Sequence, residues 1–270
     1  MQKSFDIPKM ITIEKIVDET PTVRTLFFSD EMLSKVFPGQ FAMVWVPGIN
    51  EIPMSVMISQ ESGKAAFTVR KHGLATTELF SKKVGDQIGI RGPYGNSFTI
   101  HQGRLLLVGG GTGLVPLMRL VTFLKKSDDV TIIMGAKIKV EVFFEGLANK
   151  LLEGTKHQIL VVTEDGSYGQ KGLVTDVVGK LLKENMFDAV YTCGPEKMMY
   201  KVVQFASENK IYVEASIERM MKCGIGICGS CCFGEVMACK DGTVFDGQSL
   251  LANKEFGYSH RNKAGMIENY

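Results

Sequence analysis

With 270 residues, the chain is long enough for two domains and a small appendage. Apolar residues make up 45% and charged residues 22%, with a formal net charge of +2. This excludes a largely disordered chain and argues against nucleic acid as the main partner. No apolar run reaches the ~18 residues that span a bilayer, and the first ten residues are charged without a secretory apolar core. The expectation is a cytoplasmic protein that does not enter a membrane.

Residues 1–100 read as short strands at 10–18, 23–28, 39–46, 53–59, 65–70 and 87–92. Several alternate apolar and polar residues, and Pro38-Gly39 and Gly85-Asp86 mark turns between them. Six strands with one helical turn near 76–82 predict a small antiparallel β-barrel. From His101 the period changes. Strands at 104–108, 130–134, 158–163, 189–193 and 211–215 alternate with helical runs up to 125 and at 143–152, 173–183 and 196–209. Such alternation predicts a doubly wound parallel α/β sheet over 101–217. A Cys- and Gly-rich loop follows over 218–246. The tail, 247–270, is too short for a domain and is expected to pack on one or on a partner.

Gly109-Gly110-Gly111-Thr112-Gly113 sits between a predicted strand and a predicted helix, where a phosphate-binding turn belongs. Glycines let the backbone approach a ligand, and the helix start offers free N–H groups. Pro116 replaces the third glycine of the usual dinucleotide fingerprint, and no Lys-Ser/Thr follows to make a P-loop. The second strand ends in Met134-Gly135-Ala136-Lys137, without the acid expected about 20 positions after the glycines. Glu164 and Asp165, after the third strand, are the candidates to hold a ribose; carboxylates there repel a 2′-phosphate and favour NAD over NADP. Cys193-Gly194-Pro195 ends the fourth strand, at the ligand-binding edge of such a sheet, where a thiol can lie against a nicotinamide ring. Free cysteine is also a common buried residue.

Five of the six cysteines fall between 223 and 239. In a cytosolic chain of this size that points to a metal site rather than disulfides. Cys223-x4-Cys228-x2-Cys231, with Cys239 downstream, is the plant-type spacing for a [2Fe–2S] cluster. Gly224, Gly226 and Gly229 allow the tight wrapping that three thiolates in one loop require. Structural zinc is the alternative, although paired C-x2-C or His ligands are missing between 220 and 245. Cys232 competes with Cys231 as third ligand. In the barrel region, Arg70 and Lys71 are candidates to face a pyrophosphate, with Thr76 beginning a helix that points at it; the same residues read equally as an exposed basic strand end. No nucleophile–His–carboxylate set is visible; His72, His101, His157 and His260 lack motif context, and no catalytic residue is expected.

Taken together, Pro53-Met54-Ser55, Gly73-x-x-Thr76, Gly92-Pro93-Tyr94-Gly95, the Gly109–Pro116 run and Cys193-Gly194-Pro195 resemble, in order, the motifs of the ferredoxin–NADP reductase superfamily. The resemblance implies a flavin barrel before a nicotinamide domain. FAD would be contacted by Pro53, Met54, Ser55, Thr68, Val69, Arg70, Gly73, Ala75 and Thr76. NAD would lie on Gly110, Gly111, Thr112, Gly113, Glu164, Asp165, Cys193, Gly194 and Pro195. The family arginine before the proline is Ile52 here, so a flavin phosphate contact is lost or moved to Arg70 or Lys71.

The loop ending Cys239-x-Asp241-Gly242-x-Val244-Phe245 narrows the resemblance to iron–sulfur electron-transfer subunits of that superfamily. These imply a catalytic partner that oxidises dihydroorotate on its own FMN, joined in a heterotetramer with two copies of each chain. Electrons would pass singly through [2Fe–2S] to FAD, then as hydride to NAD. Two alternatives stand beside this: the small subunit of a ferredoxin-dependent NADP reductase or sulfide dehydrogenase, and a zinc-stabilised adaptor.

Overall fold

The computed structural model describes residues 7–262 and 264–270. The first sheet contains β1 (Lys9–Thr12), β2 (Lys15–Thr20), β3 (Val23–Ser29), β4 (Phe41–Val46), β5 (Asn50–Met57), β6 (Lys64–Arg70) and β7 (Gln87–Tyr94). Its order is β1-β7-β4-β5-β6-β3-β2, antiparallel throughout. The expected first strand, 10–18, is divided into two. The Ile13 N–H donates to the Asp86 carbonyl at 2.9 Å and the Glu14 N–H to the Phe27 carbonyl at 2.8 Å. Adjacent residues thereby reach strands at opposite ends of the order, and the sheet curls into a barrel with few exposed edges. Ile13, Leu26, Phe28 and Phe67 fill its interior, with Leu79 from α1 (Leu74–Ser81).

The second sheet follows through β8 (Arg104–Gly110), α2 (Leu114–Val121), β9 (Asp129–Ala136), α3 (Glu145–Leu151), β10 (Lys156–Thr163), β11 (Gln170–Lys171), α4 (Val174–Glu184), β12 (Ala189–Cys193), α5 (Glu196–Glu208) and β13 (Tyr212–Ser216). Its strands β8, β9, β10, β12 and β13 are parallel, in the order β10-β9-β8-β12-β13. Apolar residues of α2 and α3 cover one face, including Leu117, Leu120 and Ala148. Val178 and Leu182 of α4, with Val202 and Val203 of α5, cover the other. The order reverses between β8 and β12, which opens a crevice beyond their C-terminal ends.

The chain continues through β14 (Cys232–Phe233), β15 (Val236–Met237), α6 (Ala238–Asp241), β16 (Val244–Asp246), α7 (Gly247–Ala252), β17 (Ser259–Arg261) and β18 (Ile267–Asn269). Three-residue β16 adds to the sheet antiparallel to β13. Asp246 caps α7, accepting from the Ser249 N–H at 2.9 Å. The tail packs on the chain's own core: Phe256 is fully buried and meets the rings of Tyr200 and Phe233.

Buried Arg119 of α2 joins barrel to sheet. Its guanidinium donates to the carbonyls of Val56 at 2.9 Å, Val36 at 3.0 Å and Met57 at 3.1 Å. Burial lowers its pKa to about 10, which leaves it charged at neutral pH. Among the described residues, no helix is long and apolar enough to cross a membrane.

Candidate cofactor cleft and cysteine loop

The crevice between β8 and β12 is a cavity of about 850 Å³. Gly110, Gly111, Thr112, Gly113, Glu164, Gly194 and Pro195 of the predicted NAD set line it. The two turns that frame it meet backbone to backbone. A Cβ on Gly113 would stand 2.3 Å from the Cys193 carbonyl oxygen, so only glycine fits. Asp165 and Cys193 do not line the cavity. The Asp165 carboxylate turns back on its own loop, accepting from the Ser167 N–H at 2.9 Å and hydroxyl at 2.7 Å. Those bonds hold its pKa below the usual range. Cys193 is 4% exposed, and burial pushes its thiol pKa well up. It is therefore an inert thiol behind the wall, not a thiolate.

The cavity also recruits residues the sequence did not single out for it, among them Lys197, Lys201 and Asp176. Tyr270, the last residue, lines it too, and its hydroxyl donates to Glu196 at 2.8 Å. Glu196 is held by both terminal nitrogens of buried Arg219, at 2.5 and 2.9 Å, and accepts from the Gly257 N–H at 3.0 Å. The carboxyl of Glu218, at the same wall, is raised by burial and then by the charge of Glu196. No local motif carries Tyr270; the tail hairpin β17–β18 delivers it.

The residues named for FAD occupy two neighbouring barrel strands and the start of α1. Pro53, Met54 and Ser55 lie half-buried on β5. Thr68 and Val69 are buried on β6: the Thr68 hydroxyl meets that of Thr25 at 3.0 Å, and Val69 belongs to the barrel core. Their backbone and Arg70 are what β6 can offer a ligand. Thr76 ties the α1 turn, its hydroxyl accepting from the N–H groups of His72 at 3.0 Å and Gly73 at 2.9 Å. Gly73 is exposed and Ala75 buried. Ile52 packs against the barrel core. Among the described residues, Arg70 is the one barrel residue that lines the crevice.

The cysteine loop is organised by its own peptide groups. N–H groups of Ile227 and Cys228 point at the Cys223 sulfur, at 3.3 and 3.4 Å, and the Gly226 N–H at the Cys239 sulfur at 3.2 Å. The Cys239 N–H reaches the Cys231 sulfur at 3.4 Å. Burial alone would raise the Cys223 thiol, yet N–H groups of Cys228, Ile225 and Ile227 outweigh it and bring the pKa down to about 6. Burial, then neighbouring Cys231, pushes Cys239 up to about 12. Cys232 instead enters β14, opposite Met237. All six cysteines are free thiols. Among the described residues no three potential ligands converge for a single ion. A cluster of two irons spreads its four thiolates over both metals, so this donor set, with N–H groups aimed at the sulfurs, fits [2Fe–2S].

The barrel grips this loop. Arg91 of β7 donates to the Cys223 carbonyl at 2.5 Å and the Lys222 carbonyl at 3.3 Å. Glu51 of β5 holds the same guanidinium at 2.6 and 2.8 Å, which raises its pKa. Gly224 (φ +74°) lies so close that a Cβ would stand 2.9 Å from Met43 Cγ. Farther on, Asn96 donates to the Val244 carbonyl at 2.8 Å and accepts from the Val244 N–H at 2.9 Å.

Residues 218–251 match the family model described as the iron-sulfur cluster binding domain of dihydroorotate dehydrogenase B, and residues 107–204 match an oxidoreductase NAD-binding domain. A probable dihydroorotate dehydrogenase B (NAD(+)) electron transfer subunit from Methanocaldococcus jannaschii is 41% identical, over 96% of this chain and 97% of that one. The chain belongs to the dihydroorotate dehydrogenase B electron transfer subunit family. A second member, from Thermoplasma volcanium, is 39% identical over 94% of this chain and 96% of its own. As a member of this electron transfer subunit family, the chain shares its fold with solved oxidoreductases. A chain from the structure of an NADH-dependent reduced ferredoxin–NADP oxidoreductase, described for flavin-based electron bifurcation, superposes with a TM-score of 0.79 at 31% identity. The overlap covers 92% of this chain and 93% of that one. Flavohemoglobin from Malassezia yamatoensis shares the fold at a TM-score of 0.63 and 20% identity, over 76% of this chain and 57% of its own.

Proposed function

We propose that the chain is the electron-transfer subunit of an NAD-dependent dihydroorotate dehydrogenase, a cytoplasmic enzyme of pyrimidine biosynthesis. The observation that carries this reading is the joining of three sites in one chain: a flavin-type barrel, a nicotinamide crevice, and a cysteine loop that Arg91 ties to that barrel. FAD, [2Fe–2S] and NAD are its cofactors. When bound, the flavin exchanges single electrons with the cluster and a hydride with the nicotinamide.

The chain's own residues place and insulate these groups. Pro53–Ser55, the β6 backbone at Thr68 and Val69, Gly73, Ala75 and the α1 start at Thr76 hold FAD. The Gly110–Gly113 turn and the α2 N-terminus take the nicotinamide dinucleotide's pyrophosphate. Glu164, on the cavity wall, repels a 2′-phosphate, while Asp165 shapes the loop through Ser167. Gly194 and Pro195 form the wall in front of Cys193. Cys223, Cys228, Cys231 and Cys239 ligate the cluster. The working division is barrel 1–100, nicotinamide domain 101–217, cluster loop 218–246 and tail 247–270. Cys228 and Ile227 are exposed at the loop's tip. That tip faces the FMN-bearing catalytic subunit, in a heterotetramer of two copies of each chain.

The likeness to the reduced ferredoxin–NADP oxidoreductase chain favours a second reading, in which the same relay serves a ferredoxin-linked partner. Copurification from the native source decides between them. A flavoprotein partner that confers dihydroorotate-dependent NAD reduction supports the first reading; a partner that gives only ferredoxin-linked activity supports the second. A colourless, zinc-containing chain contradicts both.

A further inference from the structure

We propose that Arg70, a residue of the flavin barrel, is a phosphate ligand for the nicotinamide dinucleotide, and that Glu141 is its resting counter-ion, displaced when the dinucleotide binds. The inference rests on the nicotinamide reading of the crevice and adds to it a residue from the other domain.

Arg70 ends β6, and its guanidinium extends away from the barrel toward the Gly110–Gly113 turn. Arg70 Nη1 lies 3.3 Å from where a Cβ on Gly111 would stand, and Gly111 has φ +55°. Arg70 Nη2 pairs with Glu141 Oε1 at 3.0 Å. Glu141 belongs to the short turn Lys139–Glu141 that follows β9, and both residues line the cavity. Their side chains are 39% and 26% exposed, so neither is locked in the core. The guanidinium thus lies beside the glycine turn proposed to take the pyrophosphate, and a carboxylate occupies the place of an anion.

Each phosphate of the pyrophosphate accepts the same paired N–H donors as a carboxylate, and the two together carry two charges to its one. The pyrophosphate also meets the Gly110–Gly113 N–H groups, which the Glu141 carboxylate does not bond. Exchange of Glu141 for phosphate therefore preserves the charge balance of Arg70 while adding contacts. Glu141 acts as an internal competitor, and it lowers the apparent affinity by the fraction of time it holds Arg70. Among the described residues Arg70 is the barrel's contribution to this crevice, while Ile52 packs against the barrel core.

The test is equilibrium binding of ADP-ribose, which carries the pyrophosphate without the nicotinamide, to the FAD- and cluster-loaded chain by calorimetry. NADH bleaching of the flavin is followed in parallel. Arg70→Gln weakens ADP-ribose binding about tenfold, the scale of one charged hydrogen-bonded contact. Arg70→Lys recovers part of the loss. Glu141→Gln tightens binding about threefold, and its effect vanishes in the Arg70→Gln background. The FAD-to-protein ratio of Glu141→Gln stays that of the wild type, and the Arg70 variants, whose residue also stands in the FAD set, are compared on their FAD-loaded fraction. Three results overturn the proposal: unchanged affinity in Arg70→Gln and Glu141→Gln, weakened binding in Glu141→Gln, or loss of FAD from Arg70→Gln with ADP-ribose affinity intact. A wild-type chain that neither binds ADP-ribose nor has its flavin bleached by NADH overturns the nicotinamide reading itself.

Discussion

The nicotinamide crevice and the cysteine loop are positioned by opposite means. The crevice is framed by one sheet, where two glycine turns at the β8 and β12 ends touch through backbone atoms, and Arg70 and Tyr270 only add to its rim. The loop is shaped by its own N–H···S bonds but held in place by another domain, through Arg91, Glu51 and Asn96. A site built by one element set tolerates changes elsewhere. A site held by a remote side chain depends on that side chain. The experiments below break one arrangement while sparing the other.

The largest effect belongs to the proposed cluster ligands. Cys→Ser at 223, 228, 231 or 239 should bleach the cluster's visible absorbance and abolish partner-linked NAD reduction. NADH oxidation with an artificial dye should survive, because the crevice needs no iron. Cys232→Ser should keep both activities. Loss of the cluster from Cys232→Ser, with retention in Cys231→Ser, contradicts the ligand set.

Next is Gly113→Ala, whose methyl meets the Cys193 backbone. It should raise KM for NADH or lower Tm, at a cost of about 1–3 kcal/mol, while the cluster spectrum stays unchanged. A spectrum altered in proportion would show that the two sites are not independent.

Arg91→Met removes the loop's anchor and strands Glu51. A cost of about 2 kcal/mol is expected, together with faster loss of iron to a chelator and unchanged KM for NADH. Iron loss at the wild-type rate would mean that the loop's own N–H···S bonds hold it unaided.

The smallest effect separates two adjacent acids. Glu164→Ser should raise the NADPH/NADH ratio of kcat/KM about tenfold, on the scale of one charge contact. Asp165→Ser should change it little, because that carboxylate serves Ser167. The opposite ranking would place the ribose contact on Asp165.

How much was legible follows the same division. The five parallel strands and the glycine turn are local patterns, and the structure places them where periodicity put them; the cysteine spacing is equally local. Non-local features were hidden. The division at Ile13–Glu14 shows in the sequence only as a one-residue slip of the alternation, from Ile11 and Ile13 to Ile16; the partners Asp86 and Phe27 show that the slip separates two strands. β16 is too short for a periodic signal, and its partner strand defines it. Glu164 and Asp165 are equivalent in sequence until Ser167 turns one away. Arg91 stands 132 positions before the carbonyl it grips, and no spacing rule spans that distance.

The central claim is that flavin, cluster and nicotinamide site work in series in this one chain. It is tested most directly by anaerobic titration of the purified chain with NADH, following flavin absorbance and the cluster's electron paramagnetic resonance together. The account predicts that NADH bleaches the flavin and raises the signal of a reduced [2Fe–2S] centre in the same titration, and that Cys228→Ser keeps the first response without the second. A chain in which NADH reduces neither centre, or one whose cysteines hold zinc, contradicts it.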